Sequence, residues 1–561
     1  MKKIVKLFWT LTVLLYLGGC TSDYLDVNKS PNSPTTPELN QLLSGSQLYM
    51  VLSLSQGDYI GNGLSSYVHH LVSREVQNYS MTPGANNTFN TWNNFYTYVL
   101  NDYDAIIASA EPEDNLIYAG IAKTLKAYTF SVMVDLWGDV PFSEFNVVGL
   151  NAPKPDSSKD IYNQLIALLE DGRANLTAEA ENKLKPGKDD FFYAGNAAKW
   201  VHLNNTIKLK LLLQSRKAKA DIPDWQNKLN TLVSEDAFIA KGEDFQFWFN
   251  NVTNPQDERH PAYGSYSGQH THFISPYFYE TMMGQTFNTV DNPFTGIQDP
   301  RVPYYFYNQL PDGSRTDSES PHEYRNGNFM SIFFATTGPN SAGSNDHSYT
   351  KYGIYPMGGK YDDGKGGRVN PSSGTVGSGI APHKMITYAS LKFMLAELAL
   401  VGETTGDAAT LLRDAVEASI DHVHSVVDKN EPAKNIAPKI PANTREFFVD
   451  AILARFNGAN ADGKMRILMT QKWIHNFMNP VDVYTDYRRT GFPLFFDPQK
   501  TQDPGYGVNP TVTERSDARV NISNLATFPR SLYYPTNSET ELNPNLKQKT
   551  NLASPFVFWD K

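Results

Sequence analysis

The chain has 561 residues, one cysteine and a formal charge of −10. Acidic residues (59) outnumber basic ones (49) and no basic run occurs, so the electrostatic footprint of a nucleic-acid binder is missing. A single thiol rules out a disulfide-stapled fold, and stability must come from one large core or two to three interlocked ones.

The first element reads as an export signal. Met1-Lys2-Lys3-Ile4-Val5-Lys6 is basic, Leu7 to Leu17 is apolar, and Gly18-Gly19-Cys20 is a small-residue exit. An apolar core of about ten residues is half of what a membrane span needs. Leu17-Gly18-Gly19-Cys20 matches a lipobox, and no second cysteine competes for Cys20 as a disulfide partner. The expectation is a lipoprotein signal peptide over 1–19, a lipid on Cys20 and a lipidated, Pro- and Asn-rich tether over 20–37. No later apolar run reaches span length, so attachment to a membrane is by lipid.

Residues 38–244 read as an N-terminal helical repeat scaffold. Apolar residues recur three and four apart over 38–55, 59–79, 91–109, 115–136, 159–178 and 196–219. The clearest stripe is Leu116, Ile117, Ile121, Leu125, Tyr128, Val132 and Leu136, stopped by Gly138 and Pro141. Ser158 is the expected cap of the next helix, with Ile161, Leu165, Leu168 and Leu169 on its buried face. Helix pairs of this length suggest a degenerate tetratricopeptide-like array.

Residues 245–382 change character. Helical periodicity fades, Gly, Pro, Asn, Tyr and Phe dominate, and short strands are expected at 304–307 and 329–334. An irregular, aromatic-rich insertion of this length is more often functional than idle. Helical patterning returns over 383–490, a C-terminal scaffold with helices at 384–401, 406–426, 444–456 and 462–478. Residues 491–561 form an irregular C-terminal segment. The fold class is mostly α: a tetratricopeptide-like helical scaffold carrying a loop-rich binding subdomain.

Several motifs, in order, carry a resemblance. Leu25-Asp26-Val27-Asn28-Lys29-Ser30-Pro31-Asn32 follows the lipobox, and Ala122 to Tyr128 leads into Val134-Asp135-Leu136-Trp137-Gly138-Asp139-Val140-Pro141-Phe142. Lys199-Trp200, Asp299-Pro300-Arg301, Ile386-Thr387-Tyr388-Ala389, Gln471-Lys472-Trp473, Asp486-Tyr487-Arg488-Arg489-Thr490-Gly491 and Pro529 to Pro535 come after. Over most of its length the chain resembles the SusD/RagB outer-membrane lipoproteins of Bacteroidetes, within the SusD-like nutrient-binding group. The departure is Ser390, where family members often carry Glu. The resemblance implies a helical scaffold with an irregular binding subdomain. It also implies a partner, a SusC-like TonB-dependent β-barrel transporter on which the lipoprotein sits as a lid. Most members bind oligosaccharides and some capture peptides.

Several motifs have plain structural readings. Trp137 to Pro141 reads as a chain reversal, with Gly138 at the turn, Pro141 blocking further helix and Asp139 accepting backbone bonds. Arg488 and Arg489, near Asp482 and Asp486, read as a buried ion pair fixing a helix end. His270/His272 and His422/His424 lack a third ligand, and Asp362-Asp363-Gly364 reads as a turn rather than a calcium loop. Gly359 to Gly366 has nearly a phosphate-loop spacing without the final Ser or Thr, and no nucleophile-elbow or zinc-protease motif occurs. No cofactor and no metal are therefore expected.

The ligand candidates are loop aromatics with nearby amides and hydroxyls. Flat rings cover the apolar faces of sugars or grip peptide side chains, while Asn and Thr bond hydroxyls and amides. One cluster is Tyr79, Asn86, Asn87 and Thr88, placed in a loop between two early helices. The other is Tyr263, Tyr266, His270, Phe273, Tyr277 and Phe278, at the head of the insertion. Trp92 and Tyr96, four apart, read as core. The favoured function is a non-enzymatic lipoprotein of the bacterial outer membrane, facing the cell surface. It binds an oligosaccharide or oligopeptide and delivers it to the SusC-like transporter. Two other classes stay open: an exported glycoside hydrolase, since paired carboxylates are too common to exclude one, and a structural lid without its own ligand.

Overall fold

Helices form where the apolar stripes are longest. A computed structural model describes residues 37–57, 59–73, 79, 86–266, 271–285, 292–310, 323–332, 348–369, 377–430, 437–495 and 527–561. Cys20 and all but the last residue of the expected tether lie outside them. The N-terminal scaffold contains α1 (Leu39–Leu54), α2 (Ile60–Tyr67), α3 (Asn86–Asn94), a π-helical stretch (Phe95–Leu100), α4 (Asn101–Ala110), α5 (Leu116–Trp137), α6 (Ser158–Thr177), α7 (Ala197–Gln214) and α8 (Trp225–Glu235). Helix α5 is buried on nearly every side because α4, α6 and α7 all pack on it. Gly120 in α5 and Gly172 in α6 face each other, and a Cβ on Gly120 would lie 2.8 Å from the Gly172 carbonyl oxygen. The pair lets the two backbones approach as a larger side chain would not.

The insertion adds short elements: α9 (Pro276–Met282), α10 (Val302–Tyr305) and α11 (Ile354–Met357). The strands of the molecule are β1 (Leu71–Ser73), β2 (Phe245–Trp248), β3 (His272–Ile274), β4 (Phe306–Tyr307), β5 (Glu323–Asn326), β6 (Phe329–Ile332), β7 (Lys351–Tyr352) and β8 (Pro382–Ile386). They pair two by two, all antiparallel: β1 with β3, β2 with β8, β4 with β7, β5 with β6. The β2–β8 ladder closes the insertion where it leaves and rejoins the scaffold, Phe245 facing Ile386 and Trp248 facing Pro382. The β1–β3 ladder ties the insertion to the first helices, Val72 facing Phe273. The C-terminal scaffold is α12 (Tyr388–Leu400), α13 (Ala408–Lys429), α14 (Ala442–Gly458), α15 (Ala461–His475) and α16 (Pro480–Thr490).

Local departures from the sequence reading have local causes. The stripe over 59–79 stops at Tyr67. His69 turns left-handed (φ 56°), and Leu71 and Val72 bury themselves by pairing with β3 instead of continuing the helix. The stripe over 384–401 splits at Thr387: β8 ends at Ile386, and the Thr387 side chain caps α12 by accepting from the Ser390 N–H at 3.1 Å. Residues 304–307 divide likewise, Tyr304 and Tyr305 closing a helical turn and only Phe306 and Tyr307 pairing. The cap of α6 is Ser157, not Ser158: Ser157 accepts from Asp160 N at 3.2 Å, and Ser158 N donates to Asp139 Oδ1 at 2.7 Å. Helices α8 and α16 were absent from the periodic segments.

Buried charge joins the two helical halves. Arg489 Nη2 donates to Glu397 Oε2 on α12 at 2.9 Å and to Asp486 Oδ1 at 2.6 Å, and its Nε donates to Gln214 Oε1 on α7 at 3.1 Å. Lys472 on α15 pairs with Asp486 at 2.7 Å. Arg488 Nε donates to Asp560 at 2.9 Å and its guanidinium lies 4.7 Å from the Trp559 ring centre. Each of these buried charges has an opposite charge beside it, the condition under which buried charge is tolerated, although Arg488 Nη2 and Gln214 Nε2 have no hydrogen-bond partner among the described residues. The Arg488/Arg489 reading from sequence therefore holds.

The Trp137 turn is also structural. Gly138 has φ 81°, and a Cβ there would sit 2.4 Å from the Phe556 carbonyl oxygen. Trp137 Nε1 donates to Tyr533 O at 3.0 Å, and buried Lys549 donates to Trp137 O at 2.6 Å. The turn is the dock for the C-terminal segment.

Candidate functional site

The β1–β3 ladder gathers rings from chain segments far apart in sequence. From the first helices come His69, His70 and Tyr79; from β3 and α9, Phe273, Tyr277 and Phe278. Trp473 and Phe477 arrive from the end of α15, and Tyr487, Phe495 and Phe528 from α16 and the C-terminal segment. His70 stacks on Trp473 with ring centres 5.1 Å apart, and Phe278 meets Trp473 edge-on at 5.0 Å. Tyr277 lies 5.6 Å from Trp473, His69 4.9 Å from Phe495, and Tyr79 5.5 Å from Phe528. Such offset and edge-on geometries are the favourable ones for aromatic quadrupoles.

Depth orders the members of this cluster. Phe278 is fully buried (0% exposed) and acts as a packing centre. Tyr79 and Phe273 are buried as well, whereas Tyr277 is half-buried and sends its hydroxyl to Leu494 O. His69 Nε2 shares a short hydrogen bond with the Tyr79 hydroxyl, and His70 Nε2 donates to Trp473 O at 3.0 Å. Burial lowers both imidazoles to about 3, and His272 to about 4, so all three are neutral at ordinary pH. The cluster offers ring faces, hydroxyls and neutral nitrogens.

The remaining sequence candidates fall in different places. Asn86, Asn87 and Thr88 are not in a loop; they form the first turn of α3, with Thr88 buried. Tyr263 sits under Arg259, 4.8 Å from guanidinium to ring, and donates to Gly377 O at 2.9 Å. It belongs to the base of the insertion, not to the cluster. Tyr266 closes a 3-10 turn (Pro261–Tyr266), and His270 lies outside the described residues. Trp92 and Tyr96 are packing residues, 5.0 Å apart, with Trp92 edge-on to Trp137 at 5.4 Å.

His69, Trp473, Phe495 and Phe528 were not singled out as site residues. Trp473 stood in the sequence only as part of Gln471-Lys472-Trp473, and no spacing rule connects it to Tyr79 or Tyr277. Among the described residues, no three His, Cys, Asp or Glu side chains gather as a metal site. His422 is held by Gln246 at 2.7 Å, while His424 accepts from Ile440 N at 3.0 Å. Asp362 accepts from Gly364 N at 3.0 Å and Asn308 Nδ2 at 2.8 Å, which makes the Asp-Asp-Gly run a turn. The Thr387 hydroxyl bridges Ser390 Oγ at 3.0 Å and His475 Nε2 at 2.7 Å, so Ser390 joins a satisfied polar chain. No helix of the described residues is long and apolar enough to cross a membrane.

A family model described as SusD-like, starch-binding and associating with the outer membrane, matches residues 31–511. Solved structures align over nearly the whole chain. A chitin-binding protein superposes with a TM-score of 0.65 at 20% identity, covering 93% of this chain and 100% of its own. A SusD homolog from Bacteroides fragilis gives 0.64 at 15% identity, covering 94% and 99%. A chitin-binding SusD homolog from Flavobacterium johnsoniae gives 0.62 at 17% identity, covering 93% and 97%. At these identities the likeness is one of fold. No curated protein matches the sequence.

Proposed function

The chain belongs to the SusD-like family, and from that membership we propose that it is a lipid-anchored receptor of the outer-membrane surface. It captures an oligosaccharide and passes it to a SusC-like TonB-dependent transporter. The observation that carries the reading is the family match across 31–511, joined to a fold shared end to end with chitin-binding SusD relatives. Oligosaccharide is favoured over oligopeptide because the family description names starch and two similar structures bind chitin. The aromatic cluster around Tyr277 supports it chemically, since half-buried rings at a ladder's edge suit the apolar face of a sugar. The proposed role is binding rather than catalysis: among the described residues the cluster holds no carboxylate pair, and its imidazoles are neutral and bonded through Nε2.

Cys20 is the proposed anchor and residues 20–37 the tether. Acyl chains contribute ~0.8 kcal/mol per buried methylene, so more than one chain is needed for a stable hold. The test has two arms. Purification from membranes should bring a β-barrel transporter with the wild type. Cys20→Ser should release the protein into the soluble fraction with its fold and ligand binding unchanged. A soluble wild type without a barrel partner would refute the receptor assignment.

A further inference from the structure

The outer face of the first helical pair carries two tyrosines that the core does not need. Tyr49 on α1 and Tyr98 in the π-helical stretch are 37% and 42% exposed, yet their rings stack on each other, 4.5 Å apart and 18° from parallel. Nearly all the other tyrosines described are more deeply enclosed. A stacked pair on the surface is therefore a feature in search of a reason.

The backbone beneath them is unusual. Phe95–Leu100 is a six-residue π-helix between two α-helices. π-Helical turns are rare and recur at functional sites. The wider turn keeps Phe95, Val99 and Leu100 in the core while Tyr98 projects outward over Tyr49.

Asp102 follows Tyr98 by four residues, in the first turn of α4. Its carboxylate lies against Gly45 of α1, 3.9 Å from where a Cβ would be, and Gly45 is one turn before Tyr49. The carboxylate is half-buried and has no ion pair or hydrogen bond among the described residues. Burial raises it to about 6, as expected of an acid without a partner. Most other half-buried aspartates here are engaged: Asp104 pairs with Lys126, Asp156 accepts from Phe142 N and Ser143 N, and Asp421 pairs with Arg445. The hydroxyls of Tyr49 and Tyr98 are likewise unbonded among the described residues.

We propose that Tyr49, Tyr98 and Asp102 form a surface subsite for one pyranose unit of a neutral glycan, separate from the aromatic cluster of the insertion. Each ring covers the inner face of the other, so the platform for the C–H face of the sugar is the outer face of one ring, held in place by its stacked partner, and the carboxylate accepts from hydroxyls at the rim. Gly45 leaves room for the carboxylate beside α1. A weak second contact of this kind holds a long chain by raising the effective concentration at the main site.

The subsite rests on the proposed glycan-receptor function, and the experiment separates the two. The mature chain is made with 3-fluorotyrosine, and the signals of positions 49 and 98 are assigned with Tyr49→Phe and Tyr98→Phe. Maltohexaose and chitohexaose are titrated in, with calorimetry in parallel. The expected result is saturable movement of both signals. Tyr98→Ala, followed at the Tyr49 signal, and Asp102→Asn should each raise the half-saturation concentration about tenfold. Saturable heat with both signals unmoved overturns the subsite and leaves the receptor assignment standing. No heat from either sugar overturns the receptor assignment for these glycans and the subsite with it.

Discussion

The buried junction of the scaffold and the aromatic cluster of the insertion solve the same problem by opposite means. Both join segments hundreds of residues apart, and neither has a disulfide. At the junction, Arg489 reaches Glu397, Asp486 and Gln214, so three helices are fixed by directional bonds to one guanidinium. In the cluster, Trp473 gathers His70, Tyr277 and Phe278 through ring contacts. Directional bonds permit one arrangement; ring contacts permit several of similar energy. A scaffold needs the first, and the cluster, as the proposed ligand surface, can use the second.

The largest effects are expected at the junction and at Phe278. Glu397→Ala removes one of the two buried carboxylates that Arg489 pairs with, leaving Asp486 alone to balance the guanidinium, and should cost about 3 kcal/mol in chemical denaturation. Replacing Phe278 by Ala should cost about 3 kcal/mol through the cavity it leaves. Tyr277→Ala should cost less than that in stability, because the ring is only half-buried, and more in glycan affinity. Equal losses of affinity from the Phe278 and Tyr277 variants would erase the distinction between packing ring and ligand ring.

Acid should separate the regions further. His69, His70, His260 and His383, beside the two ladders that hold the insertion, are lowered to about 3 by burial. A lowered base contributes stability in full above its unfolded value near 6.5, and loses it as pH falls toward 3. Asp135, within α5, is raised by burial to about 6 from 3.8; its contribution is present at low pH and lost as pH rises through about 6. Between pH 6.5 and 4.5, protection factors against hydrogen exchange should therefore fall in β1–β3 and β2–β8 before they fall in α5. Simultaneous loss in both would show that the two regions unfold as one. The smallest effect is on the surface: Lys439→Ala, which removes an exposed pair with Asp428, should stay within about 0.5 kcal/mol.

The same contrast governs what could be read from the sequence. Helix α5 shows its boundaries because a long stripe ends at Gly138, and the paired charges near Arg488 announce a buried junction. The split at Thr387 was not legible, since an apolar run before a capping Thr has the same composition whether it is strand or helix. The cluster was legible only in part. Tyr277 and Phe278 stood out as aromatics in an irregular region, but their depth depends on Trp473, about 200 residues later, and ring contacts leave no periodic trace. Tyr98 gave no signal, because a π-helical turn shifts the register that a helical stripe assumes, and nothing in the sequence of α1 ties Tyr49 to it.

The central claim is that this protein holds a glycan without changing it. The direct measurement is a calorimetric titration of the mature protein with maltohexaose and chitohexaose, followed by mass analysis of the recovered sugar. The account predicts saturable heat with at least one of them and a hexasaccharide returned intact. Silence with both, or shortened sugar in the recovered sample, would contradict it.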